Sequence, residues 1–301
     1  MNVYCLTGLH QGVFQAIDPT LCEHTFWVPS WEDSFRVRPE NIKILTPEMI
    51  SDPDDNFFGA ILIFPEHYEK VKNVDKTIMV YFVTDGRPGR SQDYTRYVIS
   101  NPRVVPIFLS TGCRLSHGVY EGSHKTIYHG VDDEFWSGWN GEEQLLAAVK
   151  NDFKNRDPQR FDLYKNICGD NKNIVIGTNH DITLGYTELR DRLRTCRAFM
   201  NVEIVGSPFD TSCVEAMMLG MPIVTTDSEC SGEFIRNGIE GFISNNPSYL
   251  KKKATDLMND KAMAEELGAN ARKMAQLRFS KKQFNMQWND VLSNIDSYKR
   301  A

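Results

Sequence analysis

Gly206-Ser-Pro-Phe-Asp-Thr-Ser-Cys-Val-Glu-Ala-Met-Met-Leu-Gly-Met-Pro-Ile-Val-Thr-Thr-Asp227 reads as a loop, a helix, a stop and a strand. Asp210, Thr211 and Ser212 are helix N-cap types, whose side-chain oxygens accept from the free N–H groups of a first turn. Gly220 suits the left-handed position just past a helix, and Pro222 lies where a helix cannot continue. Pro222–Thr226 is then short and largely apolar, as a buried parallel strand is. The start of such a helix offers unpaired N–H groups and a partial positive charge, a seat for a diphosphate. Glu215 falls about one turn in, beside that phosphate, where sugar hydroxyls are in reach. The same spacing also fits an ordinary helix-then-strand unit with a surface glutamate, and on its own it leaves both readings open.

The rhythm around this segment is that of alternating strands and helices. Val3–Leu6, Thr25–Val28, Ile42–Leu45, Ala60–Phe64, Ile78–Val83 and Val104–Leu109 are short β-rich runs bounded by Gly, Pro or Asp, with helices expected at Gln11–Ile17 and Pro65–Val71. Later, Leu145–Lys150, Asn173–Gly177, Ala198–Val202 and Pro222–Thr226 read as strands. Phe161–Ile167, Tyr186–Cys196, Ser212–Leu219 and Ser231–Asn237 read as helices. This pattern predicts an α/β chain built on doubly wound parallel sheets. The clearest boundary lies near Lys125–Asp133, which divides the chain into domains at 1–128 and 129–278. Lys261–Leu277 is rich in helix formers, with Gly268 its weak point. Phe284, Trp288, Val291, Leu292 and Ile295 then fall on one helical stripe, so 279–301 is expected to be a terminal helix packing back on the first domain.

The totals limit the classes of function. The 301 residues, 41% hydrophobic and 25% charged, fit one very large domain or two ordinary ones, with enough chain for a sizeable core. A net charge of −6 argues against binding nucleic acid or anionic lipid by bulk charge. The seven cysteines are scattered, with no CxxC pair, which suggests reduced thiols and neither a disulfide framework nor a zinc site. The N-terminus enters a strand-like segment without a charged, then apolar, leader, and no apolar run approaches the ~18–20 residues of a membrane span. The expectation is a soluble cytoplasmic protein with no membrane partner. The acidic Asp52, Asp54 and Asp55 lie among turn formers and read as a solvated loop rather than a metal site.

The Gly206–Asp227 segment resembles the donor-binding core of the retaining GT-B glycosyltransferases of family four. Phe209, Glu215, Ala216, Met217, Gly220, Pro222, Val224, Thr226 and Asp227 fall in register with that family's pattern. Gly232–Ile235 and Asn237–Phe242 resemble its following stretch, and Ile127–Asp132 with Phe135 resembles the motif that opens its second domain. The resemblance covers about residues 125–245. It implies two Rossmann-like domains with a cleft between them, a nucleotide-sugar donor as co-substrate, no other cofactor and no metal. It also implies that Glu215 holds the donor's ribose, and that donor binding involves Ser207, Phe209, Asp210, Thr211 and Ser212. Two positions depart from the pattern: Ser207 stands where the family has its first glutamate, and Asp210 where it has glycine. The family's pair of cations, which neutralises the leaving diphosphate, is expected at Lys150 and Arg156 with Lys154 as a substitute, just past the strand Leu145–Val149. Fixed cations and a helix start there would stabilise the developing charge. In the first domain, the loop holding Gly8 and His10 is expected to face the donor sugar and acceptor, with His10 as a candidate base or a structural hydrogen bonder; His129 is a further histidine at the domain boundary.

Between Gly86 and Tyr120 stand Arg87, Arg90, Arg96, Arg103 and Arg114 against one acid, Asp93, with Tyr94 and Tyr97 interleaved. This run is either a solvated surface or the seat of an anionic acceptor, with Arg87, Arg90 and Arg96 as its contacts. The acceptors in view are therefore a hydroxymethylated base in duplex DNA, as in compact viral DNA glycosyltransferases, and a saccharide or glycoconjugate. A base in a duplex would first have to be flipped out. A GT-B-like binding protein without turnover and a nucleotide-sugar epimerase are the alternatives to a transferase.

Overall fold

The computed structural model describes residues 1–6, 14–31, 38–46, 48, 56–83, 90–122, 124–203, 210–228 and 230–298; the side chains of Arg90, Ser91 and Asp296 are outside that description. The chain divides into one unit of Met1–Gly130 with Phe279–Ala301 and a second of Val131–Arg278.

In the first unit the apolar runs are strands: β1 (Asn2–Cys5), β2 (Thr25–Val28), β3 (Ile42–Ile44), β4 (Ala60–Ile63), β5 (Ile78–Phe82) and β6 (Val104–Phe108). With a two-residue β7 (Lys125–Thr126) they form a parallel sheet in the order β3-β2-β1-β4-β5-β6-β7. Every position of β4, β5 and β6 is buried, which explains their lack of polar alternation. Helices α1 (Tyr68–Val71), α2 (Arg90–Ile99) and α3 (Thr111–Ser116) accompany this sheet before the chain leaves for the second unit. Ser110 caps α3 by accepting from the Cys113 N–H.

The second unit holds β8 (Glu143–Val149), β9 (Asn173–Ile176), β10 (Cys196–Asn201), β11 (Ile223–Thr225) and β12 (Gly241–Ile243). They are parallel, in the order β12-β11-β10-β8-β9. The helices are α4 (Phe153–Arg156), α5 (Pro158–Cys168), α6 (Tyr186–Thr195), α7 (Thr211–Leu219), α8 (Pro247–Asn259) and α9 (Lys261–Phe279). Helix α7 is buried from Ser212 to Leu219, as its apolar circumference requires. It stops at Gly220, whose φ of +100° is left-handed. Gly268, the weak point of α9, sits against that stop: a Cβ there would lie 2.0 Å from the Gly220 carbonyl oxygen. Its cost in helix propensity is thus exchanged for a close backbone crossing.

The helix expected over Ser231–Asn237 is instead a single 3₁₀ turn, Ser231–Glu233. The chain then turns at Gly238, where the Arg236 N–H donates to the buried Glu240 carboxylate at 2.8 Å.

The chain re-enters the first unit with α10 (Lys281–Ser293). Its stripe is buried at Phe284, Trp288, Val291 and Leu292. Trp288 packs against Phe14, Phe26 and Tyr81 with ring centroids 5.3, 5.5 and 5.7 Å apart. Asn285 fastens the helix by donating to the Ala16 carbonyl at 2.7 Å and accepting from the Asp18 N–H at 2.9 Å.

All seven cysteines are buried free thiols. Among the described residues no helix is long and apolar enough to cross a membrane.

Candidate functional site

The second sheet reverses its winding between β8 and β10: from β8 the chain moves outward to β9, then returns to the other side. Loops leaving such a reversal diverge and open a crevice at the carboxyl ends of the two strands. Lys150 immediately follows β8, and Glu203 lies just beyond β10. The Lys150 ammonium is 3.3 Å from Glu203 Oε1 and also contacts Asp210 Oδ2. From the first turn of α5, Arg160 brings its guanidinium to within 3.9 Å of Glu203 Oε2 and 3.2 Å of Asp157 Oδ2. Thr226, just past β11, ties the strand ends together: its hydroxyl accepts from the Glu203 N–H and donates to the Glu203 carbonyl, each at 2.6 Å.

Two cations and three carboxylates thus meet at the reversal. The Glu203 side chain is 3% exposed, Lys150 17% and Asp210 29%, so Asp210 is the most open of the three. Burial by itself would lower the lysine's pKa, but the Asp210 and Glu203 carboxylates outweigh it and hold the ammonium above its ordinary value. Burial would likewise raise Asp210, yet the Lys150 ammonium and the Ser212 N–H and hydroxyl bring its carboxyl down to about 2. Both are charged at neutral pH.

Asp210 is also the N-cap of α7, its Oδ1 accepting from the Ser212 N–H at 3.0 Å and from the Ser212 hydroxyl at 2.9 Å. Thr211 is the first residue of that helix, and Glu215, one turn further, is 2% exposed. The Tyr186 hydroxyl, at the start of α6, donates to Glu215 Oε1 at 3.4 Å and accepts from the Trp136 indole N–H at 2.8 Å. The Tyr186 ring stacks on Phe135 at 5.0 Å, with the Arg190 guanidinium 4.4 Å from the Phe135 centroid. An aromatic and cationic wall therefore stands behind the glutamate. A cavity of about 430 Å³ opens beside Glu203, bounded by Thr226, Asp227, Ser244 and Asn245 and floored by Leu163 and Leu250.

The structure brings Lys150, Asp210, Thr211, Ser212 and Glu215 together in the second unit. Arg156 and Lys154 are exposed on α4. Among the described residues Arg156 makes no ion pair, and Arg160 takes the shielded position near Lys150. In the first unit Arg96 is exposed and pairs with Asp93 at 2.9 Å, and His129 is buried. Gly8, His10, Arg87, Ser207 and Phe209, and the acidic Asp52, Asp54 and Asp55, lie outside the described residues, as does the Arg90 side chain. Sequence reasoning missed Arg160, Glu203 and Tyr186. Asp157-Pro158 is a legible helix start, and it places Arg160 in the first turn. Nothing in the local sequence marks Glu203 as the partner of both cations.

Residues 172–274 match the family Glycosyl transferases group 1, a span that contains Tyr186, Glu203, Asp210 and Glu215. The uncharacterized glycosyltransferase MJ1178 of Methanocaldococcus jannaschii is 28% identical over 179 residues, 54% of this chain. That match spans 48% of the relative, so about half of its length is represented here. Among solved structures, Anabaena HepE in complex with UDP superposes with a TM-score of 0.72 at 14% identity, over 97% of this chain and 99% of its own. Sucrose-phosphate synthase from Thermosynechococcus elongatus gives 0.70 at 10% identity, over 99% of both chains. At these identities the likeness is one of fold. Residues 172–274 are thus similar to the glycosyl transferases group 1 family, in a chain whose two parallel-sheet units share the fold of HepE and sucrose-phosphate synthase.

Proposed function

We propose that the chain is a cytoplasmic glycosyltransferase that moves a sugar from a UDP- or GDP-sugar to an acceptor hydroxyl, with retention and without a metal ion. The observation that carries this is the shielded pair Lys150 and Arg160 at the sheet reversal, beside the N-terminus of α7 and one turn from Glu215. Sugar transfer breaks the bond between the anomeric carbon and the diphosphate while the acceptor oxygen bonds to that carbon. Charge grows on the departing diphosphate, and the ammonium, the guanidinium and the helix start are fixed where they stabilise it. The Glu215 carboxylate accepts from the ribose hydroxyls and so sets the donor's register along α7. Retention has the acceptor arrive on the face the diphosphate leaves, where a departing phosphate oxygen takes the acceptor's proton.

UDP is the nucleotide to test first, because HepE has been solved with UDP and with UDP-glucose. A saccharide or glycoconjugate is the first acceptor: a single-residue mutant of S. aureus TarM, at a TM-score of 0.59, has been solved with Fondaparinux, alpha-GlcNAc-glycerol and UDP. Arg96 and Arg103 are each paired with an aspartate, which weakens the argument for an anionic acceptor at that surface. Hydroxymethylated duplex DNA is kept as the second arm. The test is nucleoside diphosphate release from a panel of nucleotide-sugars, alone, with oligosaccharides and with hydroxymethylated DNA. Release stimulated by one acceptor class supports the proposal and names the acceptor. Tight nucleotide binding with no release from any donor points to a binding protein, and interconversion of the free donor points to an epimerase.

A further inference from the structure

One side chain holds both of the groups to which an incoming diphosphate would bind. Asp210 Oδ1 takes the Ser212 N–H and hydroxyl at the start of α7, and its Oδ2 takes the Lys150 ammonium. Neither group needs an outside anion while this carboxylate is in place. A donor diphosphate carries at least two negative charges, and bringing it to the same ammonium sets it against the Asp210 charge at contact distance.

The cluster is built unevenly. Glu203 is nearly closed to solvent at 3% exposure and is flanked by Lys150 and Arg160, with its backbone held by Thr226. Asp210 is 29% exposed, and its carboxylate reaches no guanidinium among the described residues. Its greater exposure leaves water as an alternative partner for the carboxylate, while Lys150 has Glu203 at 3.3 Å. Of the two carboxylates on Lys150, Asp210 is therefore the one that can leave.

We infer that Asp210 is a resident counter-anion of the donor site, which the diphosphate must displace in order to bind. The inference rests on the donor reading proposed above. Its consequence is that apparent donor affinity is set by two steps, the release of Asp210 and the contact with Lys150 and α7. Apparent affinity is the intrinsic affinity multiplied by the fraction of molecules in which the seat is vacant. The effect is specific to the phosphates, because a nucleoside without them does not compete with the carboxylate.

The test is equilibrium binding of UDP and of uridine to the full chain and to Asp210→Asn. Asparagine caps a helix about as well as aspartate and keeps its size, so the variant removes the charge with little else. The expected result is UDP binding about tenfold tighter in Asp210→Asn, with uridine binding, read by competition against UDP, unchanged. Asp210→Ser, another capping residue, carries the same expectation should the asparagine variant fail to fold. UDP bound equally or more weakly by the folded variant would overturn the inference and leave the donor reading intact. A parallel change in UDP and uridine would overturn it too, because it would mark a general effect on the site. Absence of binding of both UDP and GDP by both proteins would sink the donor reading, and this inference with it.

Discussion

Where they are described, the strands of the first unit end in apolar residues, whereas two neighbouring strands of the second end in a shielded knot of charge. Leu6, Phe64, Val83 and Leu109 follow β1, β4, β5 and β6 directly, while Lys150 and Glu203 follow β8 and β10. The first unit has ion pairs as well: Arg96 with Asp93 and Arg103 with Asp75 are open to solvent, and Lys281 with Asp18 is half-buried. Exposed pairs of that kind are worth about 0–1 kcal/mol and are screened by salt. Charges out of water are different: each costs several kcal/mol to desolvate, and the mutual attraction repays this only when the set is complete. A fold retains such a cluster more readily where it handles a charged ligand than where it only holds the sheet together. On the function proposed above, the anion chemistry belongs to the second unit.

The largest effect is expected from removing the cation at the centre of that knot. Lys150→Ala leaves Glu203 and Asp210 without their shared partner, so urea unfolding should show a loss of about 3–5 kcal/mol. Sugar transfer by the molecules that remain folded should slow by about 10²–10³-fold. A drop of less than about tenfold would break the assignment.

Trp288→Ala tests the other half of the comparison. It empties an aromatic cluster in the first unit and should cost about 3–5 kcal/mol in the same unfolding experiment. UDP affinity measured on the folded variant should stay within about twofold, because the energetics of that cluster are packing alone.

A smaller effect concerns acid. The folded pKa of Asp210, about 2, lies below its ordinary 3.8, so the native state binds fewer protons than the unfolded one over that interval. Its contribution to stability is present in full above pH 4 and is lost as pH falls through about 2. Thermal unfolding between those values should be less pH-dependent in Asp210→Asn than in the parent, and equal slopes would count against the ion pair.

The smallest effect belongs to the surface. Arg96→Ala should change stability by no more than about 1 kcal/mol, and less in high salt. A larger loss of acceptor-stimulated turnover with stability unchanged would reopen the case for an acceptor contact there.

Much of the fold was legible because parallel strands carry a simple signal. The run Ile78–Val83 needs no tertiary information to be read as buried, and β5 covers Ile78–Phe82. Elements held by context were not legible. β7 is only Lys125–Thr126, too short and polar to register, and β12 starts at a glycine inside a stretch that reads as a turn. Helix α8 went unread although Asn246 caps it by accepting from the Ser248 and Tyr249 N–H groups and Pro247 opens it. Its Lys251–Lys253 run obscures the apolar stripe of Leu250, Ala254 and Leu257. The candidate site divides in the same way. Asp210, Ser212 and Glu215 lie within one capped helix, so local spacing reveals them. Glu203 and Arg160 join Lys150 only because the sheet reverses between β8 and β10, and that crossing cannot be read from any local window.

The most direct test of the central claim is a crystal structure of the chain with UDP bound. The account predicts the diphosphate on Lys150 and the first N–H groups of α7, the ribose on Glu215, and the Asp210 carboxylate displaced from the ammonium. A diphosphate bound elsewhere, with the Lys150, Glu203 and Asp210 cluster unchanged, would contradict it.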